Sequence, residues 1–197
     1  MIEPPIADWQ SVVTGDAVAA RVGCGGSDAQ TTRIVFPGAF NPLHDGHRRM
    51  AVWAKRWLNE SVEFEMSITN VDKPNLTAVE LRQRLDQFSS SQPVWVTRAP
   101  TFLDKSALFP GVTFLVGADT ISRIGDPTYY ELDRGRRDAA IEDIRHRRCR
   151  FLVFGRVLQA EFHVLHRVKL PEALSEICQE VTEADFREDI SSTEMRR

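Results

Sequence analysis

Apolar residues along this chain fall into short continuous runs, separated by stretches with a helical repeat. Ile34-Val35-Phe36 reads as a buried strand, and Met50, Ala51, Ala54, Trp57 and Leu58 predict a helix over residues 47–58. Residues 62–69 form a second run of strand type. Thr77 and Glu80 have the spacing of a capping box that opens a helix reaching about Phe88. Residues 93–99 and 112–118 predict a third and a fourth strand. Between them Thr101 is placed to cap a short helix ending near Phe109. Asp119 stands where the next helix begins. A charged amphipathic helix over 133–148, a fifth strand over 150–157 and a helix over 171–181 complete the series.

Near-continuous apolar strands that alternate with helices indicate a parallel sheet covered on both faces. The expected fold is α/β, doubly wound and Rossmann-like, over residues 31–197. Residues 1–30 read differently, as an N-terminal extension or linker. They combine Pro4 and Pro5, one short helix over 9–22 and a flexible turn over 23–28. This extension either packs back on the body or is the remnant of an upstream domain. Doubly wound sheets bind ligands beyond the carboxyl ends of their strands. That directs attention to the loops after Phe36, Thr69, Ala99, Ala118 and Phe154.

Composition narrows the partners. With 42% apolar and 27% charged residues the chain is of ordinary globular type, and no apolar run is long enough for a membrane span. A net charge of −3 weighs against a broad nucleic-acid or anionic-membrane surface, but not against a small anion in its own pocket. Three widely spaced cysteines, Cys24, Cys149 and Cys178, fit free thiols in a reducing cytosol, so a cytoplasmic location is expected.

The loop after the first strand holds the most distinctive chemistry, Gly38-Ala39-Phe40-Asn41-Pro42-Leu43-His44-Asp45-Gly46-His47. Gly38 and Ala39 are small enough for a ligand to approach the backbone. His44 and His47 lie three positions apart at a helix start, so both rings are able to face one side. The unpaired N–H groups and positive dipole end there suit phosphate oxygens, and the imidazoles add donors that become cationic against a polyanion. A metal pair is the rival reading, but it lacks an obvious third ligand. Near the other end, Ile190-Ser191-Ser192-Thr193-Glu194-Met195-Arg196 places three hydroxyls one turn before an arginine. That arrangement serves as an anion cradle or as an ordinary helix cap.

Together these two segments resemble the motifs of the H-x-G-H nucleotidyltransferase superfamily, and the resemblance covers residues 33–196. It is strongest toward nicotinamide or nicotinate mononucleotide adenylyltransferases. The resemblance implies transfer of the adenylyl group of ATP to the mononucleotide, giving a dinucleotide and pyrophosphate, with Mg²⁺ bridged by phosphates and no side-chain metal ligand. It implies that His44, His47 and Arg196 are catalytic. ATP would be held by these three together with Gly38, Ala39, Phe40, Gly46, Arg156, Ile190, Ser191, Ser192 and Thr193. Asn70, Lys73, Trp95, Thr101, Gly117, Asp119 and Tyr129 would serve the phosphorylated acceptor. For several of these a plainer role stands beside it: a solvated lysine for Lys73, a helix cap for Asp119, a surface ion pair for Arg156, core packing for Trp95.

The chain also departs from the pattern. Family members often carry a tryptophan after G-x-D that stacks on the pyridine ring. Here Tyr129 or Tyr130 stands in that region, which leaves pantetheine phosphate or flavin mononucleotide open as acceptors and CTP open as donor. A non-catalytic nucleotide-binding regulator is the alternative from another class, and homo-oligomers are open. Arg48 and Arg49 replace a commoner apolar residue, so one of them is a candidate to face the site. His163 and His166 read as a structural pair, and the arginine-rich stretch over 134–150 as a solvated helix face.

Overall fold

A computed structural model describes residues 9–23, 32–70, 74–158, 161–163 and 165–187. Along the chain, helix α1 (Trp9–Thr14) and strand β1 (Ala19–Val22) precede β2 (Ile34–Pro37), α2 (Asp45–Leu58), β3 (Val62–Ser67), α3 (Ala78–Leu85) and β4 (Val94–Thr97). Then come α4 (Phe102–Leu108), β5 (Thr113–Gly117), α5 (Ala118–Gly125), α6 (Arg134–His146) and β6 (Arg150–Phe154). The described chain closes with β7 (Arg156–Leu158), β8 (Glu161–His163), α7 (Glu172–Ser175) and β9 (Cys178–Val181).

Seven strands form one sheet in the order β1-β4-β3-β2-β5-β6-β9. Every neighbouring pair is parallel except β1 on β4. From β2 the sheet grows first through β3 to β4, then restarts on the other side with β5, β6 and β9. The α/β, doubly wound expectation holds. Its switch point falls between β2 and β5, where such sheets open a crevice for ligands.

The two-sided apolar strands follow from this layering. Ile34 and Phe36 face the α2 and α3 layer with Phe64, Met66, Ala54 and Leu81. Val35 faces the opposite layer with Phe114, Val116, Ile121 of α5 and Ile141 of α6. Both faces of β2 are therefore dry, which removes the polar alternation of a half-exposed strand.

β3 carries two buried glutamates toward the α4 and α5 side, and each has a built partner set. Glu63 accepts from Arg21 (2.5 Å to Oε1, 3.0 Å to Oε2) and from the Trp95 indole N–H at 2.6 Å. Glu65 accepts from Lys105 Nζ at 2.8 Å on both oxygens and from Thr97 Oγ1 at 2.6 Å. Lys105 also donates to the Ala99 carbonyl at 2.8 Å, which ties the loop after β4 to β3.

Three segments differ from their sequence pattern. Residues 9–22 do not form one helix: Gly15, at φ +93°, ends α1, and the chain turns into β1. There Ala20 is buried and Arg98 N–H donates to the Val18 carbonyl, so pairing with β4 outweighs the helix propensity of the two alanines. The 171–181 stretch is helical only as α7. Ile177 then accepts from the Phe151 N–H, and β9 joins the sheet beside β6. The fifth strand breaks at Gly155, and β7 leaves the sheet to pair antiparallel with β8.

Most of the arginine-rich stretch is exposed, in line with a solvated helix face, and some of its members also make structural contacts. Arg147 donates to the Leu103 carbonyl (3.0 Å) and Ser106 Oγ (2.8 Å), Arg145 pairs with Glu142 (3.1 Å), and Arg136 with Glu131. His166 Nδ1 lies 2.9 Å from Glu180 Oε1, which matches the structural reading of that histidine.

Candidate active site

The loop between β2 and α2 owes its shape to Phe40. This residue sits at φ +42° with its ring 1% exposed, packed edge-on against Phe36, Phe64 and Phe88. A side chain at Gly38 would place its Cβ 2.6 Å from that ring, so glycine there makes room for Phe40. Gly38 N–H donates to the Glu65 carbonyl at 2.9 Å and continues the β2–β3 ladder by one residue. The Phe40 side chain is buried and its carbonyl accepts from Gln87 Nε2, so the residue shapes the loop from within. Its ring supports His47 edge-on at 5.1 Å between centroids.

His44 is the N-cap of α2, extended at φ −130° and ψ 171°, and Gly46 is buried in the first turn. The His44 N–H donates to His47 Nδ1 at 3.3 Å, and the two rings stack with centroids 3.7 Å apart. With Nδ1 accepting, a neutral His47 carries its proton on Nε2 and donates from there. Two imidazoles stacked at the positive end of a 14-residue helix form a site suited to phosphate oxygens. Ala39 is exposed beside them. Arg48 turns away, donating to the Gln87 carbonyl at 3.2 Å.

A cavity of about 410 Å³ opens at the same carboxyl ends of the sheet. The loop after β3 contributes Asn70, the loop after β4 contributes Pro100 and Thr101, α4 contributes Phe102, and α5 contributes Thr120 and Arg123. Tyr129 and Tyr130 close one side. Three residues expected on the acceptor side, Asn70, Thr101 and Tyr129, are thus brought together from separate loops. Thr101 also caps α4, donating to Asp104 Oδ2 at 2.5 Å and accepting from the Asp104 N–H at 3.1 Å. Tyr130 donates to the Ile124 carbonyl at 3.1 Å, and burial raises its phenol pKa, so it stays a donor at neutral pH.

Gly117 is the N-cap of α5 and Asp119 lies in its first turn, half-buried at the switch point. Trp95 is not brought to the carboxyl ends. Its indole is committed to Glu63 and packs on Phe109 at 5.2 Å, toward the amino-terminal half of β3. Arg156 opens β7 just past the end of β6. Lys73, Ile190, Ser191, Ser192, Thr193 and Arg196 lie outside the described residues.

Phe102, Thr120 and Arg123 were not singled out by the sequence pattern. Arg123 follows Asp119 by four positions, one helical turn on the same face of α5, and that spacing was the available signal. Among the described residues no group of three His, Cys, Asp or Glu side chains is arranged to hold a metal ion, and no helix is long and apolar enough to cross a membrane. Burial raises the Cys149 thiol pKa and pushes that of Cys178 up to about 12, which disqualifies both as thiolate nucleophiles.

Residues 35–197 match the model of a family described as cytidylyltransferase-like, from the central strand to the last residue. The chain belongs to the cytidylyltransferase-like family. Curated proteins give no match. This cytidylyltransferase-like protein is accordingly a nucleotidyltransferase, of a family that joins nucleoside triphosphates to phosphorylated acceptors. The histidine pair at the α2 terminus and the cavity lined from the loops after β3 and β4 and from α5 both lie at the carboxyl ends of the strands.

Proposed function

We propose that the protein transfers the adenylyl group of ATP to nicotinamide or nicotinate mononucleotide, releasing pyrophosphate. The observation that carries this reading is the cavity in which Asn70, Thr101 and Tyr129 converge with Phe102 and Arg123. It offers aromatic faces for a planar ring, amide and hydroxyl groups for a ribose, and a cation for an anionic substituent.

In this reading the acceptor phosphate attacks the α-phosphorus of ATP in line, and pyrophosphate leaves with no covalent enzyme intermediate. The protein's part is to align two anions and stabilise the charge that develops between them. His44 and His47 contact the phosphates at the α2 terminus, and Ser191, Ser192, Thr193 and Arg196 take the β and γ end. Lys73 and Asp119 serve the acceptor with the cavity residues. Two imidazolium rings this close repel each other, and a polyphosphate against their edges offsets that repulsion. Mg²⁺ belongs with the triphosphate in this reading: phosphate oxygens would hold it while it neutralises their charge, and among the described residues the side chains offer no three-ligand cluster.

Pyrophosphate release with ATP or CTP, each offered nicotinamide mononucleotide, nicotinate mononucleotide, pantetheine phosphate and flavin mononucleotide in the presence of Mg²⁺, tests the assignment. Turnover should be confined to ATP with one or both pyridine mononucleotides. Turnover only with CTP, or only with the other acceptors, rejects it.

A further inference from the structure

We infer that Gln87 is a positioning residue for the histidine pair, acting through the backbone of the loop that carries it. Gln87 lies two residues beyond the end of α3, far in sequence from the β2–α2 loop. Its carboxamide nevertheless holds that loop at two points. The Leu43 N–H donates to Gln87 Oε1 at 2.8 Å, and Gln87 Nε2 donates to the Phe40 carbonyl at 3.0 Å. Nε2 also donates to the Arg84 carbonyl at 3.3 Å, which fixes the amide on its own helix end.

A side-chain amide meets both demands with one planar group. A carboxylate accepts from Leu43 but cannot donate to Phe40, an ammonium does the reverse, and an apolar side chain does neither. Two further contacts run between the same segments. Arg84 donates to the Ala39 carbonyl at 3.0 Å, and Arg48 on α2 donates to the Gln87 carbonyl at 3.2 Å. The end of α3 thus reads the backbone of the loop at Ala39, Phe40 and Leu43.

The loop needs such support. Phe40 sits at φ +42°, a left-handed conformation that is costly for a bulky residue and persists only when its surroundings hold it. Leu43 directly precedes His44, whose N–H sets the His47 ring through Nδ1 at 3.3 Å. A continuous line therefore runs from the Gln87 amide through the Leu43 N–H to the His44 N–H and the His47 ring. Gln87 touches no reacting atom. It fixes the direction in which His47 donates.

The test compares Gln87→Glu, which keeps the acceptor half of the clamp, and Gln87→Leu, which removes both halves, with the unaltered chain. Nitrogen NMR of the His47 ring reports the tautomer without requiring turnover. The unaltered chain should show Nε2 protonated and Nδ1 accepting, and both variants should show averaged ring nitrogens. Binding of ATP and of CTP with Mg²⁺, measured by calorimetry, should weaken about tenfold or more in both variants. With whichever substrate pair the unaltered protein turns over, kcat should fall about 10- to 100-fold while the acceptor KM stays within about twofold, as expected for misplaced catalytic groups.

A purely structural tie would lower Tm and leave the His47 nitrogens, triphosphate binding and kcat unchanged. That result in either folded variant overturns the inference. If the unaltered chain turns over no pair, the proposed reaction fails by itself, and the NMR and binding arms still decide the role of Gln87.

Discussion

Replacing Lys105 by methionine should lower the free energy of unfolding by about 3–5 kcal/mol, the cost of stranding one partner of a buried ion pair. Glu65 is 0% exposed and Lys105 6%, and the ammonium meets both carboxylate oxygens at 2.8 Å. Methionine keeps much of the aliphatic volume, so the loss reports the charge rather than a cavity. What remains for Glu65 is the Thr97 hydroxyl at 2.6 Å, one hydrogen bond for a carboxylate out of reach of water. The exposed Arg82–Asp86 pair, at 2.9 Å and i,i+4 on the surface, is a useful contrast, since breaking it should cost about 0.3–0.5 kcal/mol. Urea unfolding curves of the two single variants check the ranking. Adding Glu65→Leu to the Lys105 variant should recover much of the loss, because paired apolar groups replace a buried ion pair at little cost. A Lys105→Met loss below about 1 kcal/mol would show that water reaches the pair.

The second large effect is kinetic. In the proposed reaction His47→Ala should lower kcat by about 10²–10³, the usual loss when one preorganised donor at developing charge is removed. The acceptor KM should move little, because the cavity is lined by residues of other loops. The His47 ring also packs against Phe36 and Phe40, so some stability is lost as well, and Tm must be measured beside kcat. A folded His47→Ala protein with unchanged kcat would remove His47 from the chemistry.

These two sites differ in how far the sequence exposed them. The loop from Gly38 to His47 was legible because its parts are contiguous: a dry strand, small residues, two histidines and a helix start follow one another within about three turns of chain. The caps at Thr77 and Thr101 were legible for the same reason, both being set by residues three positions apart. Trp95 was not, because the choice between sheet faces and sheet ends is made by the register of β3 against β4, which pairs Glu65 with Trp95. The Glu65–Lys105 pair spans 40 positions and the Gln87 clamp 44 and 47, so neither leaves any local trace. β9 escaped because an edge strand of four residues, with Gln179 exposed and Glu180 half-buried against His166, draws its stability from one neighbour rather than from its own pattern.

β1 has a consequence for the integrity of the protein in solution. It pairs residue for residue with β4, from Ala19 opposite Thr97 to Val22 opposite Val94, and Arg98 holds helix α1 before it through the Val12 carbonyl at 2.9 Å. Without it, β4 would present a row of unpaired N–H and C=O groups, flanked by apolar Val94 and Val96, as a template for strands of other molecules. A shortened chain beginning at residue 31 retains the histidine loop and the cavity, yet it should associate in a concentration-dependent manner. The N-terminal segment thus acts as a selvedge: it moves the sheet's edge from β4 to a four-residue strand, a shorter template for a second copy.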